Sequence, residues 1–246
     1  MDERQLLRYS RHLLLPQIDI GGQERLFQAR VLIVGVGGLG CPAAIYLAAS
    51  GVGELVLADP DRVELSNLQR QIAHTSGDLG LPKVEAAAKT LKRLNPEIKL
   101  RLLQERLLGN RLLEESERAD LVLDCSDNFE TRFAVNRASV ESRTPLVSGA
   151  AIRFEGQVSV FDPRRPESPC YHCLFPEEGE LEERCAEAGI LAPVVGLIGT
   201  LQAVEAIKVL LDIGKPLTGR LLLYDGLEAT FRTVTIPKNP RCPVCG

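Results

Sequence analysis

Along the first 150 residues, short apolar runs alternate with stretches in which leucine and alanine recur every three to four positions. Residues 31–34 and 55–58 are continuous apolar runs of the kind that form strands buried on both faces, and 98–103, 121–124 and 146–148 read as further strands. Between them a helical period runs over 39–50, 82–94 and 129–142, with a charged helix ahead of Leu121. Pro82 opens one of these helices, where its missing N–H leaves nothing unpaired. Residues 2–11 and the stretch from Gly21 to Arg30 read as short helices, and 62–73 as a polar loop with a short helix. This alternation predicts a parallel sheet with right-handed crossovers. From about residue 150 the texture changes. Residues 154–161 alternate like an antiparallel strand, 176–192 are acidic and loop-like, 194–211 form an apolar helix, and 220–224 and 230–236 are two more strands. The expected fold is α/β, a Rossmann-like and largely parallel sheet with helices on both faces, extended by C-terminal antiparallel strands.

Composition narrows the functional classes. With 45% hydrophobic and 25% charged residues, the 246-residue chain can bury a full core. A net charge of −4 and the absence of tryptophan argue against nucleic-acid binding, which draws on basic surface and stacking platforms. Residues 31–53 carry no charge, but six glycines and Pro42 make them a strand, a turn and a helix rather than a membrane span. The charged start, Met1-Asp-Glu-Arg, leads into no apolar signal core, so secretion is not expected. Seven cysteines, an odd number, include two Cys-x-x-Cys pairs, which in a reduced compartment read as metal ligands. The expected location is the cytoplasm.

The chemistry begins at Gly35-Val-Gly37-Gly38-Leu-Gly40, which follows a strand and opens a helix. Such a loop lets backbone N–H groups approach phosphate at a helix N-terminus, and Asp59, closing the next strand, suits a ribose hydroxyl. The loop alone does not choose between NAD and ATP. Three further features do not belong to hydride transfer. Ser66-Asn67-Leu68-Gln69-Arg70-Gln71 would set a guanidinium and amides beside phosphates. Pro82-Lys83 can bring an ammonium to the same place, and Asp124-Cys125-Ser126-Asp127-Asn128 ends a strand on the ligand-binding side of an open sheet.

Together with the two Cys-x-x-Cys pairs, these segments resemble the bacterial ubiquitin-activating-like enzymes, from Arg8-Tyr-Ser-Arg11 to Gly246. Members of that family adenylate the sulfur carriers of molybdopterin and thiamin synthesis. The resemblance implies that Gly35, Gly37, Gly38, Gly40 and Asp59 hold ATP, with Ser66, Gln69 and Asn128 among the nucleotide contacts. It further implies that Arg70 and Lys83 bind the phosphates, Asn67 orients them, Asp127 binds Mg²⁺, and Arg11 reaches the active site of the other subunit of a homodimer. One adenylation domain would cover 1–246, with a nucleotide-binding part over 1–150 and a carrier-binding and zinc part over 151–246. The chemistry suits this inventory. A carboxylate is already ionised at pH 7, so its attack on the α-phosphate needs alignment and cations rather than a general base. His12, His74 and His172 are assigned no catalytic role.

Cys170-x-x-Cys173 and Cys242-x-x-Cys245 form a Cys₄ knuckle, for which a closed four-thiolate site favours zinc over iron. Cys185, in the acidic stretch, is a candidate for a covalent link to the carrier or an incidental thiol. Cys41 and Cys125 read as small buried fillers. The segment 147–157 and the ending Asn239-Pro-Arg-Cys-Pro-Val-Cys-Gly246 look more like the molybdopterin-synthase member, whereas Gly-Thr-Leu-Gln-Ala and Tyr-Asp-Gly lean toward the thiamin member. The expected partner is a ubiquitin-like sulfur carrier ending in Gly-Gly. Sulfur would come from a separate sulfurtransferase, since no rhodanese segment follows the knuckle. The rivals are a dinucleotide-dependent oxidoreductase, an ATP-dependent tRNA-modifying dehydratase and a non-catalytic carrier-binding dimer partner. NAD binding, a modified nucleoside substrate or carrier binding without pyrophosphate exchange would respectively mark them.

Overall fold

In the computed structural model, which describes residues 1–175 and 189–246, alternate residues of strand β1 (Arg30–Val34) face opposite sides of one sheet. Val31 and Ile33 join a core with Leu55, Leu57, Leu121 and Leu123, whereas Leu32 and Val34 join a second core with Val56, Ala58 and Val122. Both faces are covered, so residues 31–34, 55–58 and 121–123 are apolar at every position rather than at every other one. Full burial of one such leucine contributes about 1.5–3 kcal/mol.

The remaining strands are β2 (Glu54–Ala58), β3 (Lys99–Leu103), β4 (Leu121–Asp124), β5 (Leu146–Ile152), β6 (Glu155–Phe161), β7 (Arg220–Asp225) and β8 (Thr230–Thr235). Their order across the sheet is β3-β2-β1-β4-β5-β6-β7-β8. The pairs from β3 through β5 are parallel and those from β5 through β8 antiparallel. One face carries α3 (Asp19–Gln28), α4 (Gly40–Ala49), α5 (Lys83–Leu94) and α9 (Ala192–Leu211). The other carries α6 (Gly109–Glu117), α7 (Phe129–Ser142) and α8 (Tyr171–Leu174). Strand order reverses between β1 and β4. At such a point the crossovers leave in opposite directions and open a crevice at the carboxyl ends of the strands.

Some boundaries differ from expectation for identifiable reasons. The helix expected over 2–11 is two, α1 (Glu3–Arg8) and α2 (Ser10–Leu13), broken at Tyr9. Tyr9 is buried, its ring edge-on to Phe27 and its hydroxyl accepting from Asn95 Nδ2 at 2.8 Å. β5 extends to Ile152 because β6 pairs along its whole length, around a two-residue turn in which Arg153 has φ 53°. The short helix expected within 62–73 is a single 3₁₀ turn, Leu65–Asn67. The uncharged stretch 31–53 contains β1, the glycine loop and α4. α9, with 20 residues, is long and apolar enough to cross a membrane, yet 56% of its apolar window is buried inside the fold. It is the core helix beneath the sheet.

Candidate active site

β1 ends in a glycine loop that lies over the carboxyl end of β4. Gly35 has φ 93°, and a side chain there would meet the Cys125 carbonyl, while one on Gly40 would overlap the Gly35 carbonyl. Only glycine fits at either position. The Val36 peptide between them is held from both sides. Its N–H donates to Asp59 Oδ2 at 2.7 Å. Its carbonyl accepts from His74 Nε2 at 3.1 Å and from the Cys41 thiol at 3.4 Å. The other Asp59 oxygen accepts from the Asp61 N–H at 2.9 Å, and Asp61 in turn binds Lys83 Nζ at 2.7 Å. A chain of contacts therefore runs from the loop to the lysine. Burial pushes the Asp59 carboxyl above its ordinary range, against the pull of the Lys83 ammonium. Burial also raises the Cys41 thiol to about 12 and the Cys125 thiol well above its usual value, so both stay protonated and act as packing residues.

Burial holds the His74 imidazole below its ordinary 6.5. Since Nε2 faces a carbonyl oxygen, the neutral ring carries its proton there. A histidine depressed in the folded state takes up its proton first in the unfolded chain. Its contribution to stability is full above about pH 6.5 and falls as acid protonates the unfolded form. His74→Gln is expected to flatten the decline in melting temperature between about pH 7 and 5. An unchanged decline would remove His74 from this account.

The crevice below the loop has a volume of about 170 Å³ and is lined by Gly37, Gly38, Asp59, Arg70, Lys83 and Asp127, among others. Lys83 begins α5, its side chain 8% exposed. Arg70 is half-buried and donates to the Ser66 carbonyl at 3.1 Å. Asp127 is exposed just past β4, and Asn128 caps α7 by accepting from the Thr131 N–H at 2.9 Å. Asp124, by contrast, is buried and accepts from Ser126 and Ser148 hydroxyls at 2.6 and 3.0 Å, which makes it a brace for the strand ends. One turn into α7, the buried Arg132 donates to the Ser126 carbonyl at 3.0 Å and lies 5.8 Å from the centre of the Phe129 ring. The crevice is continuous with a larger groove of about 990 Å³ through the shared residues Arg106, Asp127, Asn128 and Arg132. Phe129, Tyr171, Phe175 and Tyr224 line that groove.

Beside α7, Cys170, Cys173, Cys242 and Cys245 bring their sulfurs within 4.8 Å of one another. Cys170 and Cys242 sulfurs are 3.7 Å apart, and those of Cys173 and Cys245 are 3.6 Å apart. Sulfurs about 2.3 Å from a central tetrahedral zinc lie about 3.8 Å apart, so the cluster fits that ion. Asn136 Nδ2 donates to Cys170 at 3.6 Å and the Asn239 N–H to Cys173 at 3.5 Å, as second-shell donors orient thiolates.

A profile of the ThiF family matches residues 9–244. The chain belongs to the ThiF family. It is 49% identical over its whole length to the sulfur carrier protein ThiS adenylyltransferase of Escherichia coli K12, spanning 97% of that protein. It is 48% identical, again over its whole length, to the molybdopterin-synthase adenylyltransferase of the same strain, spanning 98% of it. Among solved structures, E. coli MccB with AMPCPP and SeMet MccA superposes with a TM-score of 0.84 at 25% identity, covering 97% of this chain and 74% of MccB. This ThiF-family chain is an adenylyltransferase, the class shared by the two relatives.

In this ThiF-family chain, Gly35, Gly37, Gly38, Asp59, Arg70, Lys83, Asp127 and Asn128 converge on the crevice. Gly40 lies behind it, packed on Gly35. Ser66, Asn67 and Gln69 are not among its lining residues: Asn67 closes the 3₁₀ turn by accepting from the Glu64 N–H at 3.1 Å, and Ser66 and Gln69 face solvent. Arg11 is exposed on α2 and lines neither cavity of its own chain. Cys185 lies outside the described residues. The motifs did not single out Asp61, Arg132 or His74. Asp61 is two residues past Asp59, and Arg132 is one helical turn from Asn128, on the same face of α7.

Proposed function

We propose that the chain transfers AMP from ATP to the C-terminal carboxylate of a ubiquitin-like sulfur carrier ending in Gly-Gly, of the molybdopterin-synthase small-subunit type. The continuity of the nucleotide crevice with the larger groove at Asp127 and Arg132 carries this reading, because it lets an extended peptide end meet the α-phosphate. A carboxylate oxygen attacks that phosphorus, the bond to the β-phosphate bridging oxygen breaks, and pyrophosphate leaves with its electron pair. Arg70 and Lys83 offset charge on the phosphates, and the pinned glycine loop fixes the nucleotide before reaction. Asp127 accepts within the described residues only from Asn128 Nδ2, at 3.3 Å, and so offers a hard oxygen ligand to Mg²⁺, which when bound would neutralise charge on the departing pyrophosphate. Residues 1–150 supply the nucleotide contacts, 151–246 the groove wall and a structural zinc, and the enzyme works in the cytoplasm.

The same reaction on the thiamin-pathway carrier is the second reading, supported by near-equal identity to the two E. coli enzymes. ATP–pyrophosphate exchange with a panel of Gly-Gly-ending carriers tests both. The preferred carrier names the pathway, and no exchange with any carrier sinks the proposal.

The N-terminal helices suggest how Arg11 acts. Leu7 and Leu14 flank it at 78% and 71% exposure, an apolar surface suited to a second copy of the chain. Arg11→Ala is expected to lose exchange as a homodimer. Mixing it with Asp127→Ala subunits should restore activity, since each heterodimer then holds one intact site. Failure of the mixture to recover activity would place Arg11 outside a shared site.

A further inference from the structure

Tyr171 opens α8 between Cys170 and Cys173 and lines the larger groove. Asn136 holds this segment twice, Oδ1 accepting from the Tyr171 N–H at 2.8 Å and Nδ2 donating to the Cys170 sulfur at 3.6 Å. The tyrosine ring stands edge-on to Phe133 and Phe161, with centroids 5.6 and 6.0 Å away, and 5.0 Å from the Phe175 ring. The side chain is therefore fixed before any ligand arrives. Yet it is 2% exposed, and its hydroxyl, close to the Arg132 guanidinium, makes no hydrogen bond of good geometry. Burial raises the phenol above its ordinary 10, against the pull of Arg132, so it keeps its proton and can both donate and accept. Leaving a buried hydroxyl unpaired is costly. The three rings packed on it are all phenylalanines, and a fourth at position 171 would keep every ring contact without that cost. A tyrosine here is placed for a ligand.

Arg132 lines both the crevice and the groove, so a hydroxyl beside it lies where the two join. A site buried this deeply admits an extended main chain rather than a folded surface. A glycine peptide offers such a hydroxyl both a donor and an acceptor, with no side chain to crowd the surrounding rings. Resting on the reading of the groove as the acceptor's channel, we propose that Tyr171 is an acceptor-positioning residue whose hydroxyl hydrogen-bonds the peptide group joining the acceptor's last two residues. Held one peptide back from the reacting carboxylate, that contact sets the direction in which the carboxylate enters the crevice. It is neutral and directional, and because the ring is locked in advance, little freedom is lost when the acceptor binds.

The test compares Tyr171→Phe with the unaltered enzyme in pyrophosphate exchange, using the molybdopterin-synthase small subunit and the thiamin-pathway carrier as parallel acceptors. Phenylalanine removes only the hydroxyl, so zinc content and ATP affinity should stay the same and the melting temperature should hold or rise. The KM for the acceptor should rise about 3–10-fold, the loss of one neutral hydrogen bond, with the KM for ATP unchanged. An acceptor shortened by its last two residues cannot react and serves as an inhibitor. Its inhibition constant should be the same for both enzymes, because the contact lies in the residues it lacks. A change in acceptor KM below about twofold would overturn the proposal. So would weaker inhibition of the variant by the shortened acceptor, which would place the contact on the acceptor's body, or failure of the variant to fold, which would make the hydroxyl a support of the fold. No exchange by the unaltered enzyme with either acceptor would overturn the reading of the groove itself, and that control tells the two failures apart.

Discussion

Lys83→Ala is expected to lower ATP–pyrophosphate exchange by about 10²–10³-fold, the usual effect of removing one preorganised group aimed at developing charge. The size of the effect follows from the neighbours. The Lys83 side chain is nearly buried, its ammonium 2.7 Å from Asp61 and pulling on the Asp59 carboxyl. Without it, Asp59, Asp61 and Glu105 remain in the crevice lining and repel the arriving triphosphate. Fold stability should change little, because Asp61 is 61% exposed and water can solvate it alone. Adding Asp61→Asn to Lys83→Ala should recover part of the lost ATP affinity, since it removes an uncompensated negative charge. Exchange within about threefold of the unaltered enzyme would show that the lysine is a structural partner of Asp61 and not a phosphate ligand.

Removing metal from the Cys₄ cluster should have the other large effect. Apparent binding free energies for structural zinc reach about 10–16 kcal/mol in small fingers, and that energy is folding energy. Here it is concentrated on one region. All six residues of β8 are exposed, so that strand is held by its ladder to β7 and by the knuckle that follows it. Chelator treatment or Cys242→Ser is expected to lower the melting temperature and open the segment after β7 to protease. ATP binding, built on the crevice from Gly35 to Asp127, whose lining includes none of the four cysteines, should persist. Exchange with a carrier should fail, because Tyr224, Thr230 and Arg232 line the groove. Elemental analysis should find one zinc per chain. An unchanged melting temperature after complete metal removal would reject a structural role.

The centre of the parallel half was legible because burial on both faces turns 31–34, 55–58 and 121–123 into continuous apolar words. The Cys₄ cluster was legible from its spacing. The break at Tyr9 was not, because the tyrosine is drawn inward by Asn95, 86 positions away. The same limit applies inside the site. Lys83 opens α5 and Asp127 lies between β4 and α7, where local sequence fixes direction, and both line the crevice together with Arg70. Ser66, Asn67 and Gln69 belong to the same motif as Arg70, but a 3₁₀ turn sends successive side chains different ways. His74 reads as a lone histidine until the fold sets it under Val36, 38 residues earlier.

The position of α9 beneath the glycine loop has a consequence for biosynthesis. Gly38 packs on Val195, and Gly199 admits the chain at Leu39, so the glycine loop rests on a helix encoded late in the message. At roughly 5–20 residues per second, about 3–12 s separate completion of residue 150 from completion of α9 at Leu211. Until then the nascent residues 1–150 show the ribosome exit and its attending chaperones the apolar flank that α9 will cover, and the glycine loop gains its support only once the chain has passed Leu211.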